Sequence, residues 1–180
     1  MKFLAGLLMA GMALPGIAVE PHQHGLAHLR IAIEDDLLKL WLRAPLDSLV
    51  GFENAPRNAR QREAVRDLAA KLNRAELLFV TTAVAECVTA EVALASDAID
   101  PELLSLTTEP RAAPAAKPTP NHADLEAAIS FRCGRPQSLS GLQVRLFEAF
   151  PALEQIDVEI ATPRGDSGAR LSPNRSSLTW

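Results

Sequence analysis

Two runs of strict alternation joined by an acidic turn narrow the folds open to this chain more than any other feature. Leu29, Ile31 and Ile33 alternate with Arg30, Ala32 and Glu34, and Leu38, Leu40 and Leu42 then alternate with Lys39, Trp41 and Arg43. Successive strand side chains face opposite sides of a sheet, so each run buries one face and wets the other. With Glu34-Asp35-Asp36 between them, the two runs read as an antiparallel hairpin that Pro45 ends. The same period returns at Leu125, Ala127, Ile129, Phe131 and Cys133, and at Ile156, Val158 and Ile160. A further strand is expected over 87–94, with Val88, Ala90, Val92 and Leu94 on one face. Another is expected through Leu142, Val144 and Leu146, ending near Phe150-Pro151. A turn over 165–168 leads into a return strand, Ala169 to Leu171.

One stretch has the other period. Val65, Leu68, Ala69 and Leu72 stand at helical spacing, and Asn58 precedes them as a cap with Gln61 three residues on. The spacing predicts an amphipathic helix over 60–73, with Arg60, Arg62, Arg66, Asp67 and Lys71 on its solvated face. Residues 46–56 read as a connection with an apolar centre of Leu49, Val50 and Phe52, and 77–80 as a short apolar run. The expected fold is α+β: a mainly antiparallel sheet of about six to seven strands with one amphipathic helix packed on it. Residues 105–120, where Pro110, Pro114, Pro118 and Pro120 interleave with Ala and Thr, read as a flexible loop within a single domain over 19–180.

The N-terminus sets the compartment. In MKFLAGLLMAGMALPGIA, Lys2 is a short basic region and the apolar run behind it is too short to span a bilayer. Residues 1–18 read as a signal peptide with cleavage after Ala18, and no span is expected in the mature chain. An exported chain meets an oxidising environment, and Cys87 and Cys133 are an even number. They are expected to pair, closing a loop of about 47 residues for roughly 4 kcal/mol in the chain-entropy treatment. Strict alternation puts Cys87 opposite the face of Val88, so the pairing needs a bulge or a strand start there. A net charge of −4 offers no basic face for nucleic acid. Gly-rich phosphate loops, nucleophile elbows and paired Cys-x-x-Cys motifs do not occur.

Chemistry concentrates in four histidines. His22, His24 and His28 precede the first strand and His122 precedes the strand over 124–133. By parity all four share the polar face of their strands. His22-x-His24 brings two imidazoles within about 6.6 Å along an extended chain. His28 joins the same ion only if Gly25 bends the chain, or meets His122 if their strands are neighbours. Imidazole suits Zn²⁺, Cu²⁺ and Ni²⁺, and Asp124 or Glu126 can complete a tetrahedral set. The residues alone leave two readings open, a metal site and surface histidines beside the N-terminus. An amino-terminal copper site is discounted, because the start that makes His22 third makes Pro21 second, with no N–H.

Three segments then carry a resemblance. Residues 22–56 contain His22-Gln23-His24-Gly25, the hairpin and Gly51-Phe52-Glu53; 122–133 read HADLEAAISFRC; 144–165 read VRLFEAFPALEQIDVEIATPRG. In this order they resemble the ZrgA-like family of periplasmic zinc-associated proteins. The resemblance implies a periplasmic protein that binds Zn²⁺ and assists zinc acquisition, beside an ABC-type zinc importer or its binding protein, and not an enzyme. Many members carry a His- and Asp-rich tract in mid-chain. Here that stretch is Pro/Ala-rich without histidine, which argues against high-capacity buffering and leaves His22, His24, His28 and His122 as the ligands expected. A metal-free envelope interaction module is the alternative. An enzyme built on His122, Asp124 and Glu126 is weaker still, since acidic residues often alternate on a wet strand face.

Overall fold

A computed structural model describes residues 23–105, 123–163 and 165–180. The expected signal peptide, His22, His122 and nearly all of the Pro/Ala-rich stretch lie outside the described residues. The hairpin is present as β1 (Leu26–Glu34) and β2 (Leu37–Pro45). Its two-residue turn places Asp35 at φ 53, and its register pairs Leu29 with Leu42 and Ile31 with Leu40. Behind β2 comes a one-turn helix, α1 (Leu46–Val50), where the sequence reading had only a connection. The amphipathic helix is α2 (Ala59–Leu72), which buries Val65, Leu68, Ala69 and Leu72. Asn58 caps it by accepting from the Gln61 amide at 2.9 Å, and the Gln61 side chain accepts from the Arg57 amide at 2.8 Å.

The next elements are α3 (Ala75–Leu78), β3 (Phe79–Thr81), β4 (Cys87–Ala95), α4 (Pro101–Leu104) and β5 (Asp124–Cys133). Then follow β6 (Gly141–Val144), α5 (Leu146–Ala149), β7 (Gln155–Thr162), β8 (Gly165–Leu171) and β9 (Ser177–Thr179). Six strands form one sheet in the order β4-β5-β2-β1-β7-β8, antiparallel but for the parallel pair β1–β7. β3, β6 and β9 form a smaller antiparallel sheet. The fold is therefore α+β with a mainly antiparallel main sheet and one long helix, as expected, although the described residues hold nine strands.

One face of the main sheet supplies the core. Leu29, Ile31, Leu38, Leu40, Leu42, Leu125, Phe131 and Ile156 are at most 2% exposed and share one cluster with Val65, Leu68 and Leu72 of α2. Each such aliphatic side chain contributes about 1.5–3 kcal/mol relative to exposure. The opposite face is charged and paired across strands, as in Arg30 to Glu159 at 3.2 Å and Arg170 to Asp157 at 2.9 Å.

Three local expectations are corrected. Val88 faces solvent, because a bulge between Thr89 and Glu91 inserts Ala90 and reverses the parity. That reversal lets Cys87 and the Val92–Leu94 part of β4 face the same side, and Cys87 and Cys133 are disulfide-bonded as directly opposed residues of β4 and β5. Leu146 belongs to α5 rather than to the strand of Leu142 and Val144: the chain turns at Arg145, whose amide is held by the Leu78 carbonyl at 2.8 Å. The last hairpin turns before Gly165, which pairs with Thr162, so 165–168 is strand and not turn.

Candidate metal centre

The site lies past the open end of the hairpin ladder. His28 lies opposite Arg43. Beyond that pair the ladder ends: His24 lies in the turn before β1 and Asp47 in α1, and the two meet at the open end of the hairpin. Each side is fixed there by a backbone device. Gly25 takes φ +77, and its carbonyl accepts from the Glu154 amide at 2.8 Å and the Gln155 amide at 3.0 Å, stitching the turn to the start of β7. The positive φ favours glycine there, and a Cβ would also crowd Glu154 Cγ at 3.0 Å, so the Glu154 side chain would have to give way. On the other side, Gly51 ends α1 at φ +81, and its amide returns to the Asp47 carbonyl at 2.8 Å. The left-handed residue reverses the chain, and Phe52 packs against the core. Glu53 then points back at His24.

The result is a cluster of one imidazole and two carboxylates, whose donor atoms all lie within 4.8 Å of one another. His24 Nδ1 is hydrogen-bonded to Asp47 Oδ2 and stands 3.6 Å from Glu53 Oε1. The carboxylates are 24% and 25% exposed while the imidazole is 67% exposed, so the cluster has a protein floor and an open mouth. The hydrogen bond to Asp47 first, its charge second and Glu53 last raise the His24 pKa above the ordinary 6.5, against a slight opposing effect of burial.

These groups suit a borderline divalent ion. Zinc takes imidazole nitrogen and carboxylate oxygen at about 2.0–2.2 Å in tetrahedral array, which sets ligand atoms about 3.3 Å apart. The His24–Glu53 separation is already near that value. The His24–Asp47 pair is joined by a direct hydrogen bond, which an entering ion would replace. An imidazole in the set favours zinc, copper or nickel over calcium or magnesium. Among the described residues the cluster offers three ligand groups, one fewer than a tetrahedral zinc takes.

Of the four expected histidines, the structure brings His24 into this cluster. His28 lies outside it, on the exposed face of β1 between Arg43 and Asp157. β2 separates β1 from β5, so the strands of His28 and His122 are not neighbours. Asp124 accepts from Arg43 Nε at 2.6 Å, and Glu126 is exposed opposite Arg43; neither belongs to the cluster. Asp47 and Glu53 went unrecognised in the sequence. No strand period marks Asp47, which lies in α1, and Glu53 closes the Gly-Phe-Glu turn.

No curated protein matches this chain. The family model described as the ZrgA family zinc uptake protein matches residues 21–180. That stretch runs from just before the His24 turn to Trp180 and takes in the hairpin, both sheets and every residue of the cluster, so the chain belongs to the ZrgA family of zinc uptake proteins.

Proposed function

We propose that this protein binds Zn²⁺ in the periplasm and hands it on during zinc uptake, and that His24, Asp47 and Glu53 form the floor of the binding site. The observation that carries the reading is the convergence of one imidazole and two half-buried carboxylates at the open end of the hairpin. Two carboxylates and a neutral imidazole leave net negative charge, which a dication offsets and a proton offsets only in part. The open mouth fits an ion that must be released to a partner, for which an ABC-type zinc importer or its binding protein is the candidate. Periplasmic placement rests on the expected signal peptide over 1–18. In the described residues no helix is long and apolar enough to cross a membrane.

The other histidines enter on unequal grounds. His22 stands two residues before His24 in the chain. His122 precedes Ala123, whose carbonyl accepts from the Leu46 amide at 3.0 Å, one residue from Asp47. His28, on the outer sheet face, is the weakest candidate.

The test is calorimetry on the mature chain, 19–180, stripped with chelator and titrated with zinc at about pH 7.5, one unit above the histidine range. Copper and nickel are run in parallel. One sub-micromolar equivalent of zinc is expected. His24→Ala should weaken it at least about 100-fold, since even residues that only support a ligand cost 10–100-fold. His22→Ala and His122→Ala show whether either residue joins the set. Unchanged affinity in His24→Ala sinks the site.

A further inference from the structure

We infer that Ser48 is the positioning residue of this site, its hydroxyl fixing both the Asp47 carboxylate and the turn that carries His24. The inference rests on the reading that His24, Asp47 and Glu53 hold the ion.

Ser48 is the one buried polar residue among the described residues, 4% exposed. It sits in α1 next to Leu46, which is fully buried. A buried hydroxyl is unfavourable unless both its donor and its acceptor capacity are used. Here both are used, each toward the site. Ser48 Oγ accepts from the Gly25 amide at 2.9 Å and donates to Asp47 Oδ1 at 3.3 Å. One oxygen of Asp47 is thereby occupied, and the other, Oδ2, is the one bonded to His24. The carboxylate cannot rotate about its own axis without breaking the Ser48 bond. The Gly25 amide, one peptide from His24, is tied to the same oxygen. A single hydroxyl thus sets the two ligands relative to each other, although they stand 23 residues apart in the chain. Packing alone does not call for a polar group at this position. Ligand orientation does, because an ion binds tightly only where its ligands already point at one place.

The test compares Ser48→Thr with Ser48→Val, which match in shape and differ in the hydroxyl, with Ser48→Ala as the variant that adds no bulk. Zinc affinity is read by competition with a chromophoric indicator, beside the zinc-induced rise in Tm and the far-ultraviolet circular dichroism. Ser48→Val and Ser48→Ala are expected to lose about 10–100-fold in affinity and Ser48→Thr to retain most of it. In an Asp47→Ala background, Ser48→Ala should add only the part of its loss that runs through the Gly25 turn and His24. Equal affinities for the Thr and Val variants, with Ser48→Ala unchanged, overturn the inference. So does a full additional loss in the Asp47→Ala background, which means the hydroxyl does not act through the Asp47 carboxylate. Undiminished binding in His24→Ala, by contrast, removes the zinc reading itself, whatever Ser48 does.

Discussion

The two ends of the β1–β2 hairpin carry similar residues and use them differently. At the closed end the acids meet permanent cations: Asp36 pairs with Arg132, and Glu34 with Lys39. The Asp36 carbonyl also accepts from the Cys133 amide at 2.8 Å, beside the Cys87–Cys133 disulfide. At the open end two acids meet one titratable imidazole. A guanidinium or ammonium charge stays in place at any physiological pH, so the closed end is a device for stability. An imidazole can give up its proton, so the open end has a charge that can be exchanged for an ion. The same carboxylate chemistry becomes structural or functional according to the partner the fold supplies.

The largest expected effect breaks the closed end. Replacing both cysteines by serine should lower stability by up to about 4 kcal/mol in denaturant titration. Zinc affinity of the folded protein should stay unchanged. A matching loss of affinity would show that the two ends are coupled. Next in size are the glycines at the open end. Gly25→Ala and Gly51→Ala each force a left-handed backbone on a residue with a Cβ, for about 1–2 kcal/mol. Space around Gly51 is open, so its variant should lose stability alone. A Cβ at Gly25, the residue next to His24, also crowds the Glu154 side chain, so that variant should lose zinc affinity as well.

A smaller effect is read in pH. Because the folded pKa of His24 lies above 6.5, its ion pair contributes stability fully below the unfolded value and loses it as pH rises through the folded one. Zinc requires the neutral ring, so affinity should rise about tenfold per pH unit below that raised pKa and level off above it. In Asp47→Asn the levelling point should move down, because the first cause of the shift is removed. A plateau at or below 6.5 in the unaltered chain contradicts this. The smallest effect belongs to Arg132→Ala, which breaks an exposed pair worth about 0.2–1 kcal/mol. Calorimetry should find its zinc affinity unaltered.

Much of this was legible in the residues. Leu29 to Arg43 and Leu125 to Cys133 declared their faces because period two admits one burial pattern. Asn58 and Gln61 marked the start of α2 because a helix leaves amide donors that such side chains satisfy. The pairing of the cysteines followed from export and an even count, and even the need for a bulge near Val88 was readable from parity. His24 was legible as a candidate, whereas Asp47 and Glu53 beside it were not, because they lie in a stretch that carries no strand or helix period.

Sequence by itself determined the faces of β1, β2, β5 and β7 and the place of the long helix, because these follow from local geometry. Only the tertiary structure decided the parallel pairing of β1 with β7, the separation of β1 from β5 by β2, and the return of Glu53 toward His24. Those depend on how distant segments share one core and on where Gly51 and the anchored Phe52 turn the chain. Strand order and ligand convergence are properties of contacts between residues far apart in sequence, which no local pattern records.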